Sequence, residues 1–135
     1  MEKLYVPRSE FIPEINLSPE DNVFSITGIS RPENIRLIYD PVIDWMTGYK
    51  AVLTEDYSVY SKEKPFKLKL DLEYFNSSTV KFLFDIIRIV RSMKEEGIPI
   101  VIQWFYDRDD QDCLEAGEDL AALAEIDFTF IERQQ

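Results

Sequence analysis

The segment KPFKLKLDLEYF, residues Lys64–Phe75, carries the clearest secondary-structure pattern in the sequence. Apolar and polar residues alternate along it: Phe66, Leu68, Leu70, Leu72 and Tyr74 against Lys67, Lys69, Asp71 and Glu73. A period of two places successive side chains on opposite faces of a β-strand. We therefore predict a strand with one buried and one solvated face, in a sheet that is covered on one side.

A helix and a second strand follow this segment. The helix is predicted from Ser78 to Glu96 and ends before Gly97, since glycine is favoured just beyond a helix C-terminus. The nearly continuous apolar run IPIVIQWFY then predicts an interior strand. Together these elements form a βαβ unit, so we expect two parallel strands joined by a right-handed crossover.

The flanking sequence extends this unit in both directions. Upstream, LYVP, EINLS and VFSITG are separated by turn-forming residues and predict three short strands of a meander. Downstream, DRDDQDCLEAGEDLAALAE predicts a helix with an Asp-rich start, and FTFI a last strand. The expected order is βββαβαβαβ, an α/β (α+β) fold with a mixed sheet. Its 135 residues suit one domain spanning residues 1–135.

A further helix is predicted between the meander and the Lys64–Phe75 strand. Its apolar residues follow three-and-four spacing from Ile35 to Leu53. Pro41 interrupts this pattern, because proline is tolerated only in the first turn of a helix. Either the main helix begins with Asp40 as N-cap and Pro41 as its first residue, or the helix is kinked.

Composition excludes several functional classes. With 26 acidic and 15 basic residues, the net charge of -11 repels nucleic acid and anionic membranes. Histidine is absent, which removes Ser-His-Asp catalysis and His-ligated zinc. Only four glycines are present and no phosphate-binding glycine motif occurs. We therefore expect no cofactor, and neither a nucleic-acid nor a membrane partner.

The N-terminus and the cysteine content indicate the compartment. The sequence MEKLYVPRSE contains neither a basic segment nor a long apolar segment of a signal peptide. Cys113 is the single cysteine, so no intramolecular disulfide can form. Both features favour a cytoplasmic protein.

The candidate functional site lies where the Lys64–Phe75 strand meets the following helix. In YFNSSTVKFLFD, Ser77, Ser78 and Thr79 follow Asn76 directly. Asn76 or Ser77 could simply cap the helix, because both residue types are preferred there. However, a helix N-terminus also favours negative charge, so a phosphoryl group would be tolerated. One of the three hydroxyls is therefore a candidate for reversible phosphorylation.

The helix after these hydroxyls carries more apolar surface than packing on one sheet face requires. At 100° per residue, Phe82, Ile86, Ile89 and Met93 form a row beside a polar stripe. The row either packs against the helix around Trp45 or contacts a partner protein. A separate hypothesis concerns Asp71 and Glu73, which could hold a metal-phosphate ligand together with the helix N-terminus, in a small ligand-binding or hydrolytic domain.

Four motifs, in order along nearly the whole chain, resemble one known family. They are SRPEN, PVIDW, LEYFNSS and WFYDRDDQDCLEAGEDL, and they are similar to those of the SiaC family of bacterial regulatory phosphoproteins. The resemblance implies a STAS-like fold, similar to anti-sigma-factor antagonists, with a mixed sheet and helices on one side. It also implies a non-enzymatic partner switch. A cognate Ser/Thr kinase adds a phosphate, a PP2C-type phosphatase removes it, and the unphosphorylated form activates a diguanylate cyclase in cyclic di-GMP signalling.

The resemblance also implies a phosphoacceptor. In the family it is a Thr directly after Asn in an Asn-Thr-Ser-Ser run, and here that position holds Ser77. Ser78 and Thr79 are the alternatives. Asn76 would fix the turn, and apolar contacts to the partner would come from Phe82, Ile86 and Ile89.

Overall fold

The structure is a computed structural model that describes residues 1–134. Its elements, in chain order, are β1 (Leu4–Val6), β2 (Glu14–Ser18), β3 (Val23–Ser30), α1 (Ile35–Glu55), β4 (Phe66–Phe75), α2 (Ser77–Glu95), β5 (Ile100–Tyr106), α3 (Gln111–Ala124) and β6 (Thr129–Glu132). The predicted order βββαβαβαβ is confirmed.

All six strands form one mixed sheet, in which spatial order follows chain order. β1, β2 and β3 pair antiparallel as the predicted meander, whereas β3, β4, β5 and β6 pair parallel. Each of the three helices connects two neighbouring parallel strands. The N-termini of α1, α2 and α3 therefore lie at the same edge of the sheet, beyond the carboxyl ends of β3, β4 and β5.

The core lies between the helices and one face of the sheet. Leu68, Leu70 and Leu72 of β4 are buried in one cluster with residues from all three helices. The side chains that alternate with them, including Lys67 and Lys69, are exposed or half-buried. The prediction of a sheet covered on one side is therefore confirmed for β4. Within residues 1–134, no helix is both long and apolar enough to cross a membrane.

Of the two alternatives for Pro41, a main helix that begins there with Asp40 as N-cap is wrong. The helix begins at Ile35 and continues through Pro41, and the Asn34 side chain caps it by accepting a hydrogen bond from the Leu37 N–H. Pro41 cannot donate to the carbonyl of Leu37, one turn earlier. Both residues face solvent, so water can satisfy this carbonyl and the interrupted hydrogen-bond pattern is tolerated.

The strict alternation of β4 ends at a β-bulge. Gly28 pairs with Leu72 and Ile29 pairs with Tyr74, so Glu73 is the extra residue on β4. An inserted residue reverses which face the following side chains point to. Tyr74, predicted on the buried face, is therefore 50% exposed. Phe75 turns inward instead, and its ring centroid lies 5.7 Å from that of Trp104.

Candidate functional site

The three consecutive hydroxyls of the β4–α2 junction lie in different environments. Ser77 and Ser78, the first two residues of α2, are exposed, whereas Thr79 is fully buried. The N-cap is Asn76, and its side-chain oxygen accepts hydrogen bonds from both the backbone N–H and the hydroxyl of Thr79, each at 2.9 Å. Two of the three candidate hydroxyls are thus accessible to another protein.

Thr79 belongs to a buried hydrogen-bond network that joins three elements. Its hydroxyl lies 2.9 Å from the Ser30 hydroxyl at the end of β3, which lies 2.8 Å from the Tyr39 hydroxyl on α1. Buried polar groups require such partners, because an unpaired hydroxyl loses its hydration without compensation. The network fixes the start of α2 against β3 and α1, so it positions Ser77 and Ser78 at the surface.

The same network makes the folding stability depend on pH in the alkaline range. Burial raises the pKa of Tyr39 from 10.0 to about 12, although its hydrogen bond with Ser30 acts in the opposite direction. In this pH range the unfolded chain loses the phenolic proton while the folded chain keeps it. This contribution to stability is therefore complete below pH 10 and is lost as the pH rises through about 12.

Urea unfolding between pH 9 and pH 12 is expected to show this loss, and Tyr39→Phe should lose less stability over the same range. The pKa values of Tyr49 and Tyr60, also raised by burial, affect both proteins equally and cancel in the comparison. Parallel pH profiles for the two proteins would show that Tyr39 is not the group responsible.

A cleft between α1 and α2 opens beside the exposed hydroxyls. It has a volume of about 550 Å³ and is lined by Ile35, Arg36, Asp40, Ile43, Ser78, Lys81, Phe82 and Asp85. Two exposed ion pairs lie in it, Arg36 with Asp40 at 3.1 Å on α1 and Lys81 with Asp85 at 3.3 Å on α2. Ser78 lines this cleft and Ser77 does not.

The apolar row of α2 mainly packs inside the protein. Phe82 and Ile86 are buried, and the ring centroids of Phe82 and Tyr39 on α1 lie 5.8 Å apart. Ile89 is half-buried and lines a shallow groove beside Thr47 of α1. Packing against the neighbouring helix, the first alternative for this row, therefore accounts for Phe82 and Ile86. Of the apolar residues predicted to contact a partner, only Ile89 is partly accessible.

Asp71 and Glu73 each pair with an arginine. Asp71 lies 2.7 Å from Arg133, and Glu73 lies 2.8 Å from Arg8. Nowhere in the described part of the chain do three or more Cys, Asp or Glu side chains come close enough together to hold a metal ion. These two carboxylates are thus already engaged in ion pairs with arginines near the two ends of the chain.

Sequence reasoning missed a cluster around Arg31, at the edge of the sheet where α2 begins. The Arg31 guanidinium lies 4.8 Å from the ring centroid of Phe11 and 5.8 Å from that of Tyr74, and all three side chains are exposed. Cation–π contacts of this kind hold an arginine in a defined orientation. Because the rings lie 20 and 43 residues from Arg31, no local spacing could indicate the cluster.

Comparison with protein families identifies the chain. The model of the SiaC family of regulatory phosphoproteins matches residues 6–133, which is nearly the whole sequence. The chain belongs to the SiaC family. The resemblance read from the four motifs is therefore confirmed, and the exposed hydroxyls lie on a member of a family of regulatory phosphoproteins.

Solved structures of Pseudomonas aeruginosa proteins share the fold of this SiaC-family chain. Apo-SiaC is 28% identical, with a TM-score of 0.78, and the match covers 99% of this chain and all of SiaC. A chain in the crystal structure of the diguanylate cyclase SiaD with its activator SiaC is 27% identical, with a TM-score of 0.80, covering 96% of this chain and 99% of that one. An uncharacterised protein of strain UCBPP-PA14 is 29% identical over 88% of this chain and 87% of its own length.

Proposed function

We propose that this chain is a non-enzymatic switch in cyclic di-GMP signalling, which binds and activates a diguanylate cyclase until phosphorylation at the β4–α2 junction releases it. Support for the output partner comes from the similarity to SiaC, which activates the diguanylate cyclase SiaD. Support for regulation by phosphorylation comes from the family of regulatory phosphoproteins to which the chain belongs. The proposed partners and the enzyme that supplies the phosphate place the protein in the cytoplasm.

The exposed hydroxyls at the start of α2 are the observation that carries this proposal. Ser77 follows the cap residue Asn76. The resemblance to the family implies a phosphoacceptor at this position, so we propose Ser77 as the site of modification. A phosphoryl group there adds a charge of about -1.5 to -2 and three strong acceptors. The free N–H groups and positive dipole of the helix N-terminus stabilise this charge within the protein. A partner seated over the junction must instead accommodate or desolvate it.

The enzymes of the proposed cycle are a cognate Ser/Thr kinase and a PP2C-type phosphatase. Both must reach the hydroxyl, and the exposure of Ser77 permits this, whereas the burial of Thr79 opposes it. Modification of Thr79 would also break its hydrogen bonds with Asn76 and Ser30. Accessible hydroxyls therefore support a cycle of addition and removal that leaves the fold intact.

The proposed contact surface for the cyclase comprises the β4–α2 junction and the adjacent accessible part of α2. Asn76 and Ile89 are the partly exposed members of the set first considered. Phe82 and Ile86 contribute indirectly, by holding α2 against α1 beneath that surface. Exposed aromatic and arginine side chains are frequent contributors to binding energy, and the Arg31 cluster supplies both beside the junction.

Exchange of Ser77 tests the switch. We expect Ser77→Asp to bind the cyclase at least about tenfold more weakly than wild type, a loss of about 1.4 kcal/mol, since the carboxylate is carried into the interface. Ser77→Ala should bind like wild type. Isothermal titration calorimetry with the diguanylate cyclase of the same organism would measure the affinity of each variant. Cyclic di-GMP production would measure how far each variant activates the enzyme.

Ser58→Asp is the matched control for charge. Ser58 is exposed in the loop that joins the end of α1 to the start of β4, at the opposite edge of the sheet from Ser77. The same change in charge at that position should leave binding unchanged. Equal affinities for Ser77→Asp and Ser77→Ala would contradict a phosphate-controlled interface at Ser77.

A further inference from the structure

Ser78 is the accessible hydroxyl that shares a cleft with basic side chains from two helices. It lines the cleft between α1 and α2 together with Arg36 of α1 and Lys81 of α2. We propose that Ser78 is a second phosphorylation site, and that Arg36 and Lys81 bind its phosphate within the cleft. This inference rests on the proposed function only in taking the chain to be a substrate of a Ser/Thr kinase.

The topology of the sheet brings these groups together. α1 follows β3 and α2 follows β4, and these two strands are parallel neighbours, so both helices begin at the same edge. Arg36 is the second residue of α1 and Ser78 is the second residue of α2. A phosphate in this cleft would lie near two helix N-termini as well as two basic side chains, and both features favour negative charge.

Two carboxylates also face the cleft, Asp40 of α1 and Asp85 of α2, and each currently pairs with one of the basic residues. These pairs are exposed, with 77% and 70% of the Arg36 and Lys81 side chains accessible. Exposed ion pairs contribute little stability, so exchanging a partner costs little. A phosphate with nearly two negative charges and three acceptor oxygens competes well against a single carboxylate.

The neighbouring hydroxyls lack this arrangement. Ser77 is exposed but does not line the cleft, and Thr79 is buried within its hydrogen-bond network.

In the phosphoryl transfer, the Ser78 oxygen forms a bond to the γ-phosphorus of ATP. The bond from that phosphorus to the ADP oxygen breaks, and the hydroxyl proton passes to a base of the kinase. The product links α1 to α2 across the cleft through one dianion.

The first test places phosphoserine at position 78, or at position 77 as the control, during translation in the full-length protein. Phosphorus NMR then follows the second ionisation of each phosphate between pH 4 and pH 8. We expect the pKa of the phosphate on Ser78 to be about one unit lower than that on Ser77, because opposite charges favour the dianion. The two sites share the α2 N-terminus, so the dipole of this helix cancels in the comparison.

Exchange of the basic residues shows whether they cause the difference. In the Arg36→Gln, Lys81→Gln double variant most of the difference in pKa between the two phosphates should disappear. An equal pKa at both positions in the otherwise wild-type protein would overturn the binding of the phosphate by Arg36 and Lys81. Because no kinase or cyclase takes part, this result is independent of whether the protein controls a cyclase.

The second test maps modification by the kinase. Fragmentation mass spectrometry of the kinase-treated Ser77→Ala variant is expected to locate a phosphate on Ser78. The Ser77→Ala, Ser78→Ala double variant, which still contains Thr79, serves as the control and should remain unmodified. A kinase that modifies wild type but leaves Ser77→Ala unmodified would overturn the assignment of Ser78 as a site. If the kinase modifies neither wild type nor Ser77→Ala, both the assignment of Ser78 and the proposed phosphorylation switch at Ser77 are overturned.

Discussion

Gly117→Ala is expected to destabilise the protein by about 2 kcal/mol, even though alanine is a better helix former than glycine. A Cβ atom at Gly117 would lie 2.6 Å from two atoms of the Trp104 indole, a distance at which something must move. Trp104 is buried, and its indole N–H donates a 3.0 Å hydrogen bond to the Cys113 carbonyl one turn earlier in α3. The indole thus lies against the helix backbone, which requires position 117 to have no side chain.

The estimate combines two opposing effects. Overpacking a well-filled core costs about 1–3 kcal/mol and occasionally more, whereas replacing glycine inside a helix recovers about 1 kcal/mol. The rigid, hydrogen-bonded indole cannot retreat easily, so we place the overpacking cost at the high end. Urea unfolding followed by circular dichroism would measure the net change in the free energy of unfolding.

Gly48→Ala is the matched control in α1. Its Cβ would meet only the terminal methyl carbon of Met1, at 3.1 Å, and this flexible side chain can move. The helix-propensity gain should therefore prevail, and the variant should be more stable by up to about 1 kcal/mol. Stabilisation by both substitutions would mean that Trp104 does not pack against Gly117 as described.

Phe82→Ala is expected to destabilise the protein by about 3–5 kcal/mol, as truncation of a buried aromatic residue typically does. Phe82 is only 8% exposed and packs against Tyr39 between α1 and α2. The alternative, in which this residue belongs to a docking surface, makes the opposite prediction. Truncation would then leave the melting temperature unchanged and weaken only the binding of a partner.

Thermal and urea unfolding of Phe82→Ala distinguish these alternatives without any partner. Leu123→Ala provides the control, because Leu123 lies on α3 and is 70% exposed, so its truncation should change stability by less than about 0.5 kcal/mol. If Phe82→Ala were as stable as Leu123→Ala, the residue would not belong to the core and the docking interpretation would be favoured.

The sequence predicted the elements and their order because the signals for them are local. Alternation along β4, the glycine after α2 and the asparagine before it act over a few residues, and the structure confirms each of them. Even here, two details were missed. The bulge at Glu73 turned Tyr74 outward. The sequence also left open whether the main helix starts at Pro41, whereas α1 starts at Ile35 and the hydrogen bond missing at Pro41 faces solvent.

Some features of the candidate site were predictable from the local sequence, whereas others depend on contacts between distant segments. That a hydroxyl cluster follows Asn76 near the start of a helix was evident from the sequence, as was the resemblance to the SiaC family. The sequence could not distinguish the three hydroxyls. Thr79 is buried against Ser30 of β3, which lies 49 residues away in the chain. Ser78 shares a cleft with Arg36 because α1 packs against α2.

The sequence by itself thus determined the type and order of the strands and helices, the cap region at the start of α2, and the family to which the protein belongs. Tertiary structure alone decided which hydroxyls are accessible, which apolar residues of α2 are core, and which basic side chains share a cleft with Ser78. The physical reason is range. Backbone preferences and periodicity act between near neighbours in the chain, whereas burial and ion pairing depend on segments that only the folded sheet brings together.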